Sequence, residues 1–210
     1  MTQIERKIYD SWLSYALNQL TFPLRQLVPQ PVIASIPGLK TNKQVRTQVV
    51  LSEVRGRLLD IGCGNNQLVR AYSGPGTGVD VHPWPGIDLL VEDTAHLPFP
   101  EASFDTITFV ACLNHIPNRE DVLQEARRLL TPGGRVVITN LPPTLSRLWH
   151  WWAFWDPDQH ERGMGKGEEW GFTKDELCAL LVKAGFDVAL QAPFNWGLLD
   201  LFVAEVAKTA

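Results

Sequence analysis

Short apolar runs bounded by glycine or acidic residues recur along the chain and alternate with stretches in which apolar residues repeat at helical spacing. Buried strands of a parallel sheet have such continuous apolar runs, whereas amphipathic helices have the three-to-four-residue repeat. The alternation predicts an α/β fold with a seven-stranded, mostly parallel sheet, an antiparallel last strand and helices on both faces. The predicted strands cover residues 58–61, 78–81, 87–91, 106–110, 135–140, 186–190 and 199–206.

The N-terminal part of the chain does not follow this alternation. Apolar residues at helical spacing predict one helix over Ile4–Leu20, and four prolines between residues 23 and 37 then interrupt the chain. We therefore predict an N-terminal helical extension or cap over residues 1–44 and a main domain over residues 45–210. The pattern leaves open whether the extension covers a ligand pocket or only packs against the domain.

Two residue pairs predict where later helices begin. Asn118 with Asp121, and Thr173 with Glu176, have the spacing of a capping box, in which two side chains satisfy the free amides of a helix start. Apolar residues at helical spacing follow both pairs, so we expect a helix after each.

Composition excludes several classes of protein. A length of 210 residues suits one α/β domain with a modest extension, and the net charge of −4 argues against nucleic-acid binding. The three cysteines are scattered, without the pairing typical of zinc sites, which favours reduced thiols in a cytoplasmic protein. We expect neither a signal peptide nor a membrane span, because no apolar run reaches the ~18 residues that spanning needs.

A turn with two glycines follows the first predicted strand. The sequence Leu58-Leu59-Asp60-Ile61-Gly62-Cys63-Gly64 leads into a helix that we expect to begin near Asn66 or Gln67. Such a unit binds nucleotides, because the backbone can approach the ligand and the helix amides face it. A dinucleotide-binding loop would have a third glycine, and Asp60 would repel a pyrophosphate but attract an ammonium or sulfonium group. An NAD-dependent oxidoreductase is therefore disfavoured.

This stretch resembles motif I of the class I S-adenosylmethionine-dependent methyltransferases, (D/E)xGxGxG, with Asn66 in place of the last glycine. Three further segments are similar to the small-molecule, type 11-like members of that family. They read LPFPEASFD over residues 97–105, LLTPGGRVVIT over residues 129–139 and GFTKDELCALLVKAGF over residues 171–186. The resemblance covers roughly residues 45–206 and implies a Rossmann-like fold.

The resemblance also implies a cofactor site for S-adenosyl-L-methionine. In it, Asp60 supports the methionine ammonium through the loop, Asp80 accepts hydrogen bonds from the ribose, and Asp93 accepts from the adenine amine. Asp80 follows Asp60 by 20 residues, close to the spacing of ribose-binding acids in nucleotide-binding domains. The full set of expected cofactor-binding residues is Asp60, Gly62, Cys63, Gly64, Asp80, Val81, Asp93, Thr94, Ala111 and Asn114.

His115 is the candidate catalytic residue. It follows the fourth predicted strand, at the sheet edge where open α/β sheets bind their ligands. Because histidine titrates near neutral pH, His115 could remove a proton from the methyl acceptor. The sequence leaves a second interpretation open, in which His115 only shapes the pocket.

A tryptophan-rich insertion occupies residues 141–171. Leu145, Leu148, Trp149, Trp152 and Trp155 have helical spacing, and a polar, glycine-rich stretch follows them. The resemblance implies that this piece forms the acceptor pocket and a lid. A helix buried only for packing is one alternative. Membrane contact through residues 145–155 is another, which the few lysines and arginines on the polar face of this helix disfavour. The acids and histidine of residues 156–161 lack metal-ligand spacing, so we predict no metal.

Together these features predict an S-adenosylmethionine-dependent methyltransferase that acts on a small, apolar or aromatic acceptor. The expected partner is this small-molecule acceptor, without nucleic acid, and the oligomeric state is left open. The alternative is a non-catalytic regulatory or partner subunit with the same fold.

Overall fold

A computed structural model of the protein describes residues 3–25, 28, 30–152, 165 and 167–207. Seven strands form one sheet in the order β3-β2-β1-β4-β5-β7-β6. The strands are β1 (Leu58–Ile61), β2 (Gly76–Asp80), β3 (Leu89–Leu90), β4 (Phe104–Val110), β5 (Leu130–Asn140), β6 (Phe186–Phe194) and β7 (Leu199–Val206).

The predicted fold class is confirmed. Strands β3, β2, β1, β4 and β5 pair in parallel, whereas β7 lies between β5 and β6 and is antiparallel to both. Strand order reverses at β1, because β2 lies on one side of it and β4 on the other. Open α/β sheets bind ligands beyond the carboxyl ends of the strands at such a point. The topology therefore places the candidate site beyond β1, β2 and β4.

Eight helices among the described residues flank the sheet. They are α1 (Gln3–Arg6), α2 (Trp12–Arg25), α3 (Gln30–Ser35), α4 (Asn42–Leu51), α5 (Gln67–Ala71), α6 (Arg119–Leu129), α7 (Pro143–Trp152) and α8 (Lys174–Lys183). None of the helices in this part of the chain is long and apolar enough to cross a membrane.

The single N-terminal helix predicted over Ile4–Leu20 is wrong. The chain turns between α1 and α2, where Tyr9 is buried with its ring edge-on to Tyr15 at 5.5 Å between centroids. The backbone amide of Asn195 also donates to Glu5 of α1 at 2.8 Å. These two contacts, the second with a residue 190 positions away, fix the turn. Helical periodicity alone does not predict them.

Alternating side chains of the central strands form two hydrophobic clusters. Val136 and Ile138 of β5 lie in the first cluster, whereas Val137 between them lies in the second. Successive strand residues point to opposite faces, so the two clusters cover the two sides of the sheet. Ile4 of α1 and Val49 of α4 belong to the second cluster, which fastens the N-terminal segment to the sheet.

Candidate cofactor and acceptor site

The glycine loop joins the buried strand β1 to helix α5. The amides of Gly62 and Cys63 both donate to the carbonyl of Val79, at 2.9 and 3.1 Å, so the loop turns back onto β2. Gly62 has a φ of +70°, and a Cβ built there would lie 2.8 Å from the Cβ of Cys112. No larger residue fits at position 62, because the segment after β4 passes directly against the loop.

Asp80 fixes this loop from the end of β2. Its carboxylate accepts the backbone amide of Gly64 at 2.9 Å through one oxygen and that of His82 at 2.9 Å through the other. The side chain is almost fully buried and lines a cavity beside the loop. Asp80 therefore joins the glycine loop to the chain after β2, at the position expected for the ribose.

Asp60 lies beneath the loop. It is buried, and the hydroxyl of Thr108 on the neighbouring strand donates to its carboxylate at 2.6 Å. Burial, together with the negative charge of Asp80, raises the pKa of Asp60 to about 7, even though the hydrogen bond from Thr108 lowers it. Asp60 does not line the cavity, so any effect on a bound cofactor would pass through the loop.

The pKa of Asp60 predicts how stability depends on pH. Because the carboxyl binds its proton more tightly in the folded state, its stabilising contribution is present at acidic pH and is lost as pH rises through about 7. From pH 5 to pH 8, the wild type should lose about 2–3 kcal/mol more unfolding free energy than Asp60→Asn, which keeps an acceptor for Thr108. Urea denaturation at both pH values measures this difference. Parallel pH curves for the two proteins would contradict the assignment.

The cavity beside the glycine loop has a volume of about 280 Å³. Six of the predicted residues line it: Gly62, Asp80, Val81, Asp93, Thr94 and His115. Five others support or adjoin it without lining it: Asp60, Cys63, Gly64, Ala111 and Asn114. The sequence analysis missed the remaining lining residues, which are Glu92, Cys112, Ile116, Pro117, Asn118 and Glu168.

Cys63 does not act as a nucleophile in this arrangement. Burial raises the pKa of its thiol to about 12, and the charges of Asp60, Asp80 and Asp88 raise it too. The thiol therefore stays protonated at neutral pH.

Among the described residues, no group of three or more histidine, cysteine or acidic side chains could hold a metal. Residues 156–161, for which the sequence predicted no metal, lie outside that part of the chain.

Asn66 explains how the loop works without its last glycine. Its backbone is left-handed, with φ of 59°, and its side-chain amide donates to the carbonyl of Gly86 at 3.1 Å and to Asp88 at 2.9 Å. Asp88 in turn accepts the amide of Gly78 at 2.8 Å. The short connection between β2 and β3 replaces a full crossover helix, and Asn66 anchors it to the glycine loop.

Asp93 lies at the other end of the cavity. One carboxylate oxygen accepts the amide of Ala95 at 2.9 Å and the side-chain amide of Asn118 at 3.1 Å. The hydrogen bond from Ala95 and then that from Asn118 lower the pKa of Asp93, so it is ionised at neutral pH.

The predicted capping box of Asn118 is wrong. Its side chain makes no hydrogen bond to the start of α6 and donates to Asp93 instead.

His115 is paired with a carboxylate. It ends a 3₁₀ turn, Leu113–His115, and its Nδ1 lies 2.8 Å from Oε2 of Glu168. The two side chains are 21% and 10% exposed, so the pair is shielded but still reaches the cavity. A carboxylate at this distance accepts the Nδ1 proton, which leaves Nε2 as the basic nitrogen.

Backbone contacts hold Glu168 in place. The amide of Glu169 donates to the carbonyl of Asn114 at 2.8 Å, and the Asn114 side chain donates back to the carbonyl of Glu169 at 3.1 Å. Farther along, the buried side chain of Asn140 bonds both the amide and the carbonyl of Phe172. Residues 167–172 are therefore tied to the turn after β4 and to the end of β5. The sequence pointed to the insertion but contained no signal for Glu168.

A second cavity of about 630 Å³ adjoins the first. Pro117 and Asn118 line both cavities, and Trp170, Phe172 and Leu180 give the second one an apolar side. Its charged lining residues are Arg119, Glu120, Asp121, Arg147, Glu169 and Glu176. Helix α7 of the tryptophan-rich insertion is present as predicted as far as Trp152. Trp155 and the polar stretch of the predicted lid lie outside the described residues.

The small cavity fits S-adenosyl-L-methionine. A Cβ at Gly64 would point into open space, so the loop leaves room for a ligand against its backbone. Ionised Asp93 and buried Asp80, which both line it, are acceptors suited to an amine and to hydroxyls. The fold and the cavity together define an α/β protein that binds a nucleoside cofactor at its topological switch point.

Comparison with known proteins identifies the family. Residues 40–191 match the methyltransferase domain family, so the chain belongs to it. The chain is 31% identical over 153 residues to 27-O-demethylrifamycin SV methyltransferase of Amycolatopsis mediterranei, covering 62% of this chain and 54% of that relative. It is 28% identical over 177 residues to demethylmenaquinone methyltransferase of Tropheryma whipplei, covering 69% and 72%. The match thus spans only about half of the first relative.

A solved structure agrees with the fold. An S-adenosylmethionine-dependent methyltransferase from Thermotoga maritima superimposes with a TM-score of 0.59, at 20% identity, over 77% of this chain and 87% of that one. The comparisons confirm the predicted methyltransferase family and the Rossmann-like fold. The roles of single site residues and the domain boundaries stay predictions.

Proposed function

We propose that the protein transfers a methyl group from S-adenosylmethionine to an oxygen or carbon atom of a small, apolar or aromatic acceptor. The observation that carries the proposal is the His115–Glu168 pair, which lies in the cofactor cavity next to the opening of the larger cavity. An acceptor hydroxyl or acidic C–H loses a proton on methylation, and a carboxylate-oriented histidine is the usual group to take it.

Each residue has a distinct part in this mechanism. Bound S-adenosylmethionine would supply an electrophilic methyl group on sulfur. Asp80 and Asp93 would hold its nucleoside, and the glycine loop would lie against the rest of it. Glu168 accepts the Nδ1 proton of His115, which leaves Nε2 without a proton and able to take the acceptor proton as the new bond forms. The protein contributes alignment and a basic nitrogen, while the cofactor carries the reactive group.

The larger cavity supports the proposed acceptor class. Trp170 and Phe172 provide flat apolar surface, and the guanidinium of Arg119 lies 5.5 Å from the centre of the Phe172 ring. Such a surface suits an aromatic acceptor that also has polar groups at its edge. The two relatives, named for a rifamycin and a menaquinone, agree with this class. Cys63, Cys112 and Cys178, all within the described part of the chain, are not joined in disulfide bonds, which agrees with the proposed cytoplasmic setting.

Incubation with S-adenosylmethionine and matched acceptors tests the proposal. The panel contains demethylmenaquinone reduced beforehand to its hydroquinone, simple phenols and the corresponding anilines, and mass spectrometry detects product with one added methyl group. We expect methylation of the hydroquinone or phenols and release of S-adenosylhomocysteine. Turnover of the anilines alone would contradict the role given to the base, because a neutral amine needs no proton removed before it attacks.

A further inference from the structure

Helix α2 has an apolar face that the rest of the described chain does not cover. Leu13, Leu17, Leu20 and Leu24 are 74%, 43%, 79% and 67% exposed. Their spacing of four, three and four residues puts them along one side of the helix. The other side of α2 is already buried through Tyr15, Asn18, Phe22 and Arg25. The exposed leucines are therefore not needed to attach α2 to the domain.

Trp12 extends this face at the start of α2, where it is 66% exposed. Trp196, in the turn between β6 and β7, is 57% exposed and contacts the other side of α2. Its ring stacks on Phe22 at 5.8 Å between centroids, and its indole nitrogen donates to the carbonyl of Gln19 at 3.1 Å. We call the four exposed leucines with Trp12 the α2 surface.

The concentration of exposed apolar side chains is local. Twelve large apolar residues are exposed among those described, and seven of them lie between residues 12 and 36. Single exposed leucines are common on soluble proteins, but a contiguous patch marks an interaction site. Val32 of α3 and Ile36, directly after α3, belong to these seven.

Basic side chains outnumber acidic ones around this surface. No aspartate or glutamate occurs between Ser11 and Ser52, where Lys43 is exposed and Lys40 is half-buried, and exposed Asp10 comes just before that stretch. Lys40 lies near the start of α2, with its ammonium 5.4 Å from the centre of the Tyr9 ring. Exposed Arg6 donates to the Tyr9 carbonyl at 2.9 Å. Cations thus flank the apolar face.

We propose that the α2 surface docks on an anionic phospholipid membrane. Leucines on one helix face, a tryptophan at its margin and nearby lysine and arginine side chains are the chemistry of an interfacial helix. A symmetric contact between two copies would bring the same cations of both chains together, which disfavours a dimer through this face. The site differs from residues 145–155, where the sequence raised membrane contact.

Docking there would also orient the active site. Trp196 follows β6, and β6 runs parallel to β1 because both β5 and β6 are antiparallel to β7. The α2 surface and the cofactor cavity are therefore on the same edge of the sheet. If the proposed apolar acceptor is correct, the bilayer would supply it from this side, although membrane binding itself does not depend on that proposal.

Vesicle co-sedimentation of the full chain tests the docking. One set of vesicles is phosphatidylcholine alone, and the other has equal parts of phosphatidylcholine and phosphatidylglycerol. We expect binding to the anionic set, weakened by salt, and a loss of about tenfold in partitioning for Leu20→Glu, which removes apolar contact and adds a repelled charge. Val182→Glu, at another exposed apolar position (64%), is the matched control and should bind as the wild type does.

The same proteins give outcomes that overturn the proposal. Equal binding to both vesicle sets, no binding to either, or equal loss in Leu20→Glu and Val182→Glu would each do so. A wild-type dimer in sedimentation velocity that Leu20→Glu dissociates would assign the face to a second copy instead. Unchanged thermal unfolding of Leu20→Glu, and an unchanged shift with S-adenosylhomocysteine, separates lost docking from misfolding and from failure of the proposed function.

Discussion

His115→Gln is expected to lower turnover by about 10²–10⁴-fold, the usual contribution of a positioned base, while affinity for S-adenosylhomocysteine stays close to that of the wild type. Glutamine can still hydrogen-bond to Glu168, but it cannot take a proton from the acceptor. The loss should therefore appear in kcat and not in cofactor binding. Steady-state kinetics with the best acceptor of the panel, together with calorimetric titration of S-adenosylhomocysteine, measure the two quantities.

Variants of the neighbouring residues make this result specific. Glu168→Gln should lower kcat less, because its carbonyl can still orient His115, and the double variant should be no slower than His115→Gln alone, since the two side chains act as one unit. His96→Gln is the matched control: His96 also lies near an acid, 3.4 Å from Asp93, but its side chain is 87% exposed. If His115→Gln kept the wild-type rate and pH profile, His115 would only shape the pocket.

The sequence predicted the part of the site whose signals are local. Two glycines after a buried strand specify the loop at Gly62 and Gly64, and an acid at the end of the next strand specifies Asp80, because strand ends at one sheet edge converge. The capping box of Thr173 with Glu176 is present as predicted, since both hydrogen bonds form within four residues. Such features depend on neighbours in the chain and can be inferred without the fold.

The rest of the site depends on contacts between distant residues. Glu168 pairs with His115 across 53 positions, and nothing in its own surroundings distinguishes it from a solvated acid. Asn118 has the spacing of a cap, but folding brings Asp93 close enough to take its amide. Asn66 departs from the family pattern because the short β2–β3 connection lies against it. In each case a tertiary hydrogen bond decides the role of a polar side chain whose local pattern is ambiguous.

Asp80→Ala should weaken the binding of S-adenosylhomocysteine by about 10²-fold. The variant loses a charged acceptor for the ribose, and hydrogen bonds to charged groups contribute about 1.5–3 kcal/mol each. It also releases the amides of Gly64 and His82, which Asp80 now holds at 2.9 Å, so the loop becomes less ordered before the ligand arrives. Calorimetric titration measures the affinity directly.

Asp187→Ala is the matched control for Asp80→Ala, because it removes an exposed aspartate from β6, far along the sheet from the glycine loop. It should bind S-adenosylhomocysteine as the wild type does. Titration of the wild type with NAD should give no binding, since Asp60 and the missing third glycine disfavour a pyrophosphate. Wild-type affinity in Asp80→Ala would remove Asp80 from the cofactor site and leave it a structural role, in which it only joins the glycine loop to β2.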